Sequence, residues 1–280
     1  MKEENADYFQ KNPKFKDFKS YRDLKSGDGL LLRSDGYISA AIAHAGVAET
    51  QLNHLAFVHV SPAGEISTLE AGPTGLKIYS IQEHLDLRYI RTVVYRYEDS
   101  DLAKKAAQAS YDYATNFRSE NGYRLPYDFT FNYQYNSHLF CSEVIYYGFK
   151  TASNGAVDVP YFKSTFTPGL KDFLNKAGIP LTDANINTYR TFIPGDIEFD
   201  PRFELVAEWR NPKLTADSRS KDIILRKVIE WIGHDNYQFR PSVLLRAGTH
   251  LAWGLVRTPL IRRKLLPLVP LQLSPLQRGQ

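Results

Sequence analysis

Cysteine is nearly absent from this 280-residue chain, in which Cys141 is the only one. A single thiol cannot form a disulfide within the chain, and it cannot contribute to a metal site built from several cysteines. The sequence also lacks a run of about 18 apolar residues, so we expect no transmembrane helix. The N-terminal stretch MKEENADYFQKNPKFKDF has no apolar core, so we expect no signal peptide there. The compartment stays open between cytoplasm, periplasm and the periphery of a membrane.

Several catalytic and cofactor motifs are missing as well. The sequence has no H-E-x-x-H zinc motif, no G-x-S-x-G nucleophile elbow, no Walker loop and no dinucleotide-binding glycine fingerprint. The glycines of SGDG and AGPTG are typical of turns. The sequence therefore predicts neither a bound metal nor a cofactor.

Acidic residues are absent from the C-terminal tail, residues 236–280. The tail carries seven basic residues: Arg240, Arg246, Arg257, Arg262, Arg263, Lys264 and Arg278. The whole chain has 35 basic and 31 acidic residues, so the part before the tail has 28 against 31, a net charge of −3. The positive charge of the chain thus belongs to the tail alone. This argues against a nucleic-acid-binding core and for a tail with its own partner.

Two strand-forming segments frame a turn after residue 60. HLAFVHV (residues 54–60) and ISTLEA (residues 66–71) are rich in apolar and β-branched residues, and SPAGE (residues 61–65) is typical of a turn. We expect a β-hairpin in which Val60 pairs with Ile66.

This register places His54 and Glu70 on one face of the hairpin. They are diagonal neighbours, about 7–8 Å apart between backbones, and a one-residue shift would separate them onto opposite faces. Glu70 is a carboxylate in an otherwise apolar strand, and it needs a partner that His54 can supply. The alternative interpretation of His54 is a core histidine with no chemical role.

The remaining segments complete an α+β pattern. Strands are predicted from about Leu30 and over residues 87–97 and 203–209. Helices are predicted within residues 37–53, after Asp99 or Ser100, after Cys141, between Pro168 and Gly178, and over residues 215–233. We expect an antiparallel sheet or small barrel of about five or six strands packed against helices, with a mostly helical C-terminal extension.

Cys141 stands where a polar, turn-like loop enters a helix. The helix is indicated by the spacing of Val144, Ile145, Gly148 and Phe149. Free N–H groups and the positive dipole end of a first helical turn stabilise a thiolate. Two interpretations stay open: a packed cysteine on the inner helix face, or a nucleophile.

A nucleophilic Cys141 would need a base within reach. His54 with Glu70 is one candidate pair, because thiol hydrolysis uses a histidine base and a group that orients it. His138 is three residues before Cys141 and is a rival base, although it is also typical of a loop surface.

The order of these motifs resembles a known family. LKSGDGLLLRS, NHLAFVHV, TLEAG and PYDFTFNYQYNSHLFCSEVIYYGFK together resemble the circularly permuted papain-like thiol hydrolases, the YiiX-like branch of the NlpC superfamily. In that branch the histidine hairpin precedes the cysteine helix, as it does here. The resemblance covers about residues 20–165. It implies a Cys141 nucleophile, a His54 base and a Glu70 orienting group, with Tyr127 and Ser142 as candidates for substrate or oxyanion contacts.

The resemblance implies acyl transfer through a thioester more firmly than it implies a substrate. We expect cleavage of amide or ester bonds, on lipid acyl groups or, alternatively, on peptidoglycan or other peptides. A catalytically inactive binding module is the alternative from another class. We expect an N-terminal arm (residues 1–20), a catalytic domain (residues 21–195) and a C-terminal extension (residues 196–280).

The tail bears on the choice of substrate. As a helix it would carry a stripe of Arg246, His250, Trp253 and Arg257 beside a broad leucine face. Such a helix suits an anionic membrane interface. Alternatively, the leucines pack on the catalytic domain and the arginines face water.

Overall fold

The computed structural model describes residues 8–234 except residues 49, 88, 134–136 and 177. Within these residues the chain forms one mixed sheet-and-helix structure around a seven-stranded antiparallel sheet. The strands are β1 (Tyr8–Lys11), β2 (Gly29–Arg33), β3 (His54–Val60), β4 (Ile66–Gly72), β5 (Gly75–Ser80), β6 (Arg91–Tyr97) and β7 (Phe203–Arg210). The α+β prediction is therefore confirmed.

The strands are arranged in the order β1-β7-β6-β2-β3-β4-β5, and every neighbouring pair is antiparallel. Strand β7 pairs with both β1 and β6, so residues on each side of the predicted boundaries at 20 and 195 share one sheet. The division into arm, catalytic domain and extension stays a prediction, and the tail lies outside the described residues.

Six α-helices accompany the sheet in the described part of the chain. They are α1 (Tyr37–Ala43), α2 (Ile81–Asp86), α3 (Ser100–Asn121), α4 (Glu143–Ala152), α5 (Lys171–Lys176) and α6 (Pro212–His234). Asp99 caps α3 by accepting hydrogen bonds from two backbone N–H groups, and Gly122 ends the helix in the left-handed conformation. None of the described helices has both the length and the apolar composition of a membrane span.

The alternation of side chains along the strands builds a separate core on each face of the sheet. Leu55 and Phe57 of β3 belong to the core that α3 and α4 cover. Ala56 and Val58, on the opposite face, belong to a second core that includes Phe18 and Trp209. Because β3 is buried on both faces, its sequence is an apolar run rather than an alternating one.

Helix α4 is held close to α3 by a glycine. A Cβ atom on Gly148 would lie 2.4 Å from the carbonyl oxygen of Ala106, so only glycine fits this crossing. The buried α3 residues at this side are small: Ala103, Ala106, Ala107, Ser110 and Ala114. The hydroxyl of Ser110 donates to the Val144 carbonyl at 2.8 Å. These contacts fix α4, and with it the loop that carries Cys141.

Two strands and one helix were not predicted. Strand β1 lies in the segment predicted to be an arm, and β5 with α2 follows the turn at Pro73 and Thr74. The expected five or six strands are therefore seven. β1 and β5 are the two edge strands. All four residues of β1 are exposed and β5 is partly exposed, so neither has the continuous apolar character of β2 and β3.

Candidate active site

The β3–β4 hairpin has the predicted register, with Val60 opposite Ile66. The side chains of His54 and Glu70 meet on one face, where Nε2 of His54 lies 3.1 Å from Oε2 of Glu70. Backbone pairing of β3 with β4 extends only as far as Phe57 and Leu69. Beyond that pair the N–H of Leu55 bonds to the sulfur of Cys141.

Glu70 accepts four hydrogen bonds, although it is almost fully buried. Besides His54, its donors are Nδ1 of His84 at 2.6 Å, the Tyr89 hydroxyl at 2.9 Å and the Thr68 hydroxyl at 2.8 Å. Burial would raise the pKa of the carboxyl, but the hydrogen bonds from the two imidazoles hold that pKa far below its usual range. Glu70 therefore stays ionised and fixed in place.

The tautomer of His54 follows from this contact. A carboxylate only accepts hydrogen bonds, so Nε2 of His54 carries the proton that faces Glu70. The other ring nitrogen, Nδ1, is then left for the hydrogen bond between His54 and Cys141. His54 thus lies between a carboxylate and a thiol, as the resemblance implied.

Cys141 lies just before α4, where Ser142 is the N-cap residue and Glu143 the first helical residue. The cysteine is only 5% exposed, and burial alone would also fit a packed core residue. The thiol instead contacts His54 and the Leu55 N–H, both of which favour its charged form. The structure therefore places Cys141 next to His54, which in turn is hydrogen-bonded to Glu70.

The electrostatics of Cys141 and His54 shift in opposite directions. Burial would lower the pKa of the His54 imidazole, but its hydrogen bonds to Cys141 and Glu70, and their charges, raise it to about 10. Burial would raise the pKa of the Cys141 thiol, but the hydrogen bond and charge of His54 lower it overall. Each shift favours a thiolate–imidazolium pair at neutral pH.

Tyr127 and Ser142, the candidates for substrate or oxyanion contacts, both lie near the sulfur of Cys141. Tyr127 lies near Cys141, and burial followed by the nearby charge of Cys141 raises the pKa of its phenol well above the usual value. Tyr127 is therefore a protonated donor. The hydroxyl of Ser142 lies 3.7 Å from the sulfur, and Ser142 is fully buried. Tyr127 lines the neighbouring cavity, whereas Ser142 does not.

A cavity of about 380 Å³ lies beside Cys141 and His54. That volume is in the range of small-molecule sites. Apolar residues contribute much of its lining: Ile42, Leu87, Phe131, Phe140, Phe192 and Ile193. Ser34, Ser39 and Asn53 add neutral polar groups. The cavity can therefore hold an apolar group of a substrate beside the thiol.

The other histidines near the sequence motifs lie apart from this chain of hydrogen bonds. His138, the rival base, is exposed and bonds to the Ser137 hydroxyl at 3.0 Å. His59 bonds to Gln108 and stacks on Tyr111, with 4.2 Å between ring centres. Nε2 of His44 lies 3.7 Å from Asp222.

Sequence reasoning missed the residues that hold Glu70. His84 is in α2, and Tyr89 follows that helix. The sequence predicted no element between residue 71 and residue 87, so α2 was not expected. A buried carboxylate has four acceptor positions, so the sequence could have signalled that Glu70 needs more partners than His54. It could not have identified them without the position of α2.

Glu143 is a second buried acid beside the site. Its Oε2 accepts the Phe140 N–H at 3.3 Å, while Oε1 has no hydrogen-bond partner. Burial raises the pKa of Glu143 to about 9, so it is a neutral carboxylic acid at pH 7. It adds no negative charge that would disfavour the thiolate.

No group of three or more histidine, cysteine or acidic side chains in the described part of the chain is arranged to hold a metal ion. This statement covers residues 8–234 with the gaps given above.

Comparisons with known proteins identify a family whose model matches the segment that carries these motifs. Residues 23–176, more than half of the chain, match the model of a family described as permuted papain-like amidase enzyme, YaeF/YiiX, C92 family. A similar solved structure is the crystal structure of the metalloprotein YiiX from Escherichia coli O157:H7, at 21% identity and a TM-score of 0.49. The alignment covers 67% of this chain and 98% of that chain. No curated protein matches the sequence.

Proposed function

Since the chain belongs to the YaeF/YiiX family of permuted papain-like amidases, we propose that it cleaves amide or ester bonds through a thioester on Cys141. His54 would act as the acid and base, and Glu70 would orient the imidazole. The observation that carries this proposal is the position of His54 between the Cys141 thiol and a buried, ionised Glu70 that is hydrogen-bonded to Nε2 of His54.

The proposed reaction has two steps. The Cys141 thiolate attacks the acyl carbonyl, and the His54 imidazolium gives its proton to the leaving nitrogen or oxygen as the bond to it breaks. A water molecule then attacks the thioester, gives a proton to His54 and releases the acid and the thiolate. The Tyr127 hydroxyl, Ser142 and N–H groups at the start of α4 are the candidate donors to the transient oxyanion.

We assign an apolar acyl group to the cavity. The support is the set of apolar side chains that line it beside Cys141. A lipid acyl group fits this lining better than the polar side chains and amides of a peptidoglycan stem peptide. The peptide alternative is an outcome of the kinetic test below.

We assign the C-terminal tail to an anionic membrane surface. The support is in the sequence alone: seven basic residues without an acid, next to Trp253 and a leucine-rich stretch. The tail lies outside the described residues, so the sequence is its only evidence.

Turnover of matched chromogenic amides tests the chemistry and the acyl preference together. We expect decanoyl 4-nitroanilide to be cleaved with a higher kcat/KM than alanyl 4-nitroanilide. Cys141→Ala and His54→Ala should each lower kcat at least about a thousandfold, and Glu70→Gln should lower it less.

His138→Ala is the matched control, because it removes an exposed imidazole near the same loop. Its activity should equal that of the wild type, and the melting temperatures of His138→Ala and Cys141→Ala should be nearly unchanged. Full activity of Cys141→Ala would refute the thiol mechanism. Faster cleavage of the alanyl substrate would favour a peptidase.

A further inference from the structure

Lys77 brings a cationic group to the wall of the cavity that holds Cys141 and His54. It lies on β5, and its side chain is half-buried. The same cavity is lined by the charged His54 and Glu70 and by the neutral polar residues Ser34, Ser39 and Asn53. Lys77 and Cys141 thus line the same cavity.

Glu70 is the obvious partner for Lys77, because the two residues pair directly across β4 and β5. Directly paired residues share one face of a sheet. Both carboxylate oxygens of Glu70 are already occupied, however, by Thr68 and His84 on one and by His54 and Tyr89 on the other. The ammonium group of Lys77 instead lies over the ring of Tyr79, 4.2 Å from its centre.

Other acids do not neutralise Lys77. Among the residues that the structure describes, it forms no ion pair with an aspartate or glutamate. Glu83 feels its charge, but that carboxylate accepts from the N–H and hydroxyl of Ser80 at the start of α2. Since the ammonium group of this half-buried side chain is held only by an aromatic ring, its N–H groups can still donate hydrogen bonds to an anion.

We propose that Lys77 forms an anion subsite of the active-site cavity. It would bind a carboxylate or phosphate group of a substrate whose acyl carbonyl lies at Cys141. The proposal rests on the proposed function, since it concerns the substrate of the same thiol. It assigns the substrate to the class of acyl compounds that carry an anionic group near the scissile bond.

A different role for Lys77 would be to protect the edge of the sheet. Strand β5 is an edge strand, and lysines there discourage pairing with other chains. That role requires a charge exposed at the edge but no contact with an anion in the cavity. The two roles therefore differ in whether Lys77 acts on reagents at Cys141.

Alkylation of the single thiol by a charged and a neutral reagent of the same size provides this test. Iodoacetate and iodoacetamide both form a bond from carbon to the Cys141 sulfur and release iodide. Since the imidazolium of His54 also attracts iodoacetate, the informative quantity is the ratio of the two rate constants in each variant.

We expect Lys77→Met and Lys77→Gln to lower the iodoacetate-to-iodoacetamide ratio by about five- to tenfold, because they remove a charge from a partly desolvated cavity. Lys77→Arg should keep the ratio. Lys104→Met, the matched control, removes an exposed lysine on α3 and should leave both rates unchanged.

Protection experiments distinguish the two kinds of anion. Decanoate, decyl phosphate and neutral decanamide would each be added before iodoacetamide. In the wild type the two anions should protect Cys141 at about tenfold lower concentration than decanamide, and Lys77→Met should remove the difference. The better of the two anions assigns the subsite to a carboxylate or a phosphate.

An unchanged ratio in both Lys77→Met and Lys77→Gln would overturn the proposal, as would equal protection by all three amphiphiles in the wild type. Failure of the proposed function has a separate signature. If His54→Ala alkylates as fast as the wild type with both reagents, the thiolate is not activated by His54, whatever the ratio shows.

Discussion

At the scale of single residues, the proposed chemistry depends on how Glu70 is held. Its four donors leave one position for its carboxylate, and that position fixes the ring of His54. His84 and Tyr89 thereby act on Cys141 only through Glu70. A buried carboxylate with fewer donors would be costly to keep ionised.

The pH dependence of Cys141 alkylation tests this arrangement. The pKa of Cys141 is lowered and that of His54 is raised to about 10. The thiolate–imidazolium pair therefore exists at pH values between the pKa of Cys141 and the pKa of His54. In the wild type, the acid limb of the iodoacetamide reaction should therefore lie at lower pH than that of an ordinary thiol. His54→Ala removes the cation, so its acid limb should move up towards the ordinary thiol pKa of about 8.5. The rate constant is measured from pH 4 to 10 by intact mass.

His138→Ala serves as the control for the removal of an imidazole. An acid limb that is the same in the wild type and in His54→Ala would contradict the pairing of Cys141 with His54.

The contact between His54 and Glu70 could be predicted from the sequence because it depends on local geometry. A short turn fixes the register of the hairpin, and the register fixes which side chains share a face. The choice between a packed and a reactive Cys141 could not be made in the same way. That choice depends on where α4 packs, which is a contact between segments far apart in the chain.

At the scale of elements, the position of α4 decides the position of the thiol. Helix α4 crosses α3 closely at Gly148, and the Cys141 loop precedes its first turn. The opening between β3 and β4 beyond Phe57 receives the sulfur, because the Leu55 N–H there bonds to Cys141. One helix crossing and one interrupted strand pair therefore align the site.

Substitution of Gly148 tests the importance of this crossing. In Gly148→Ala the new Cβ would lie 2.4 Å from a backbone oxygen of α3, so the helices must move apart. We expect a loss of about 1–3 kcal/mol in the free energy of unfolding, measured by urea denaturation. Activity should also fall, because the loop before α4 moves with the helix.

Gly72→Ala is the matched control for stability, since a Cβ there meets nothing within 4 Å. Its free energy of unfolding should change by less than about 0.5 kcal/mol. Equal stability of both variants would show that α3 and α4 tolerate a wider separation.

At the scale of the whole molecule, the sheet extends beyond the segment that matches the family. The match ends at residue 176, yet β7 lies between β1 and β6 in the same sheet. The sequence predicted strands β6 and β7 but not β1, because the pairing of an edge strand near the N-terminus with residues near 205 is a long-range contact. The fold class could be predicted, but the two edge strands, β1 and β5, could not.

The tail is the part of the molecule that we expect to set its location. Each basic residue near an anionic surface contributes about 1 kcal/mol at most, and salt screens this contribution. The full chain should therefore sediment with phosphatidylglycerol vesicles more than with phosphatidylcholine vesicles. A chain ending at Asp235 should lose this binding.

A full chain in which Arg262, Arg263 and Lys264 are changed to glutamine is the matched control that keeps the leucines. It should bind anionic vesicles more weakly than the wild type and with less dependence on salt. Equal binding by the full and shortened chains would contradict the membrane proposal. Unfolding of the shortened chain, seen by circular dichroism, would show instead that the leucines pack on the domain.

The most direct test of the central claim is the mass of the acyl-enzyme. The protein would be mixed with 4-nitrophenyl decanoate, quenched in acid and digested for peptide mass analysis. We predict a decanoyl group on the peptide that contains Cys141, removed by neutral hydroxylamine as a thioester is, and absent in Cys141→Ala. A decanoyl group that persists in Cys141→Ala, or that is found only on other residues of the wild type, would contradict the account.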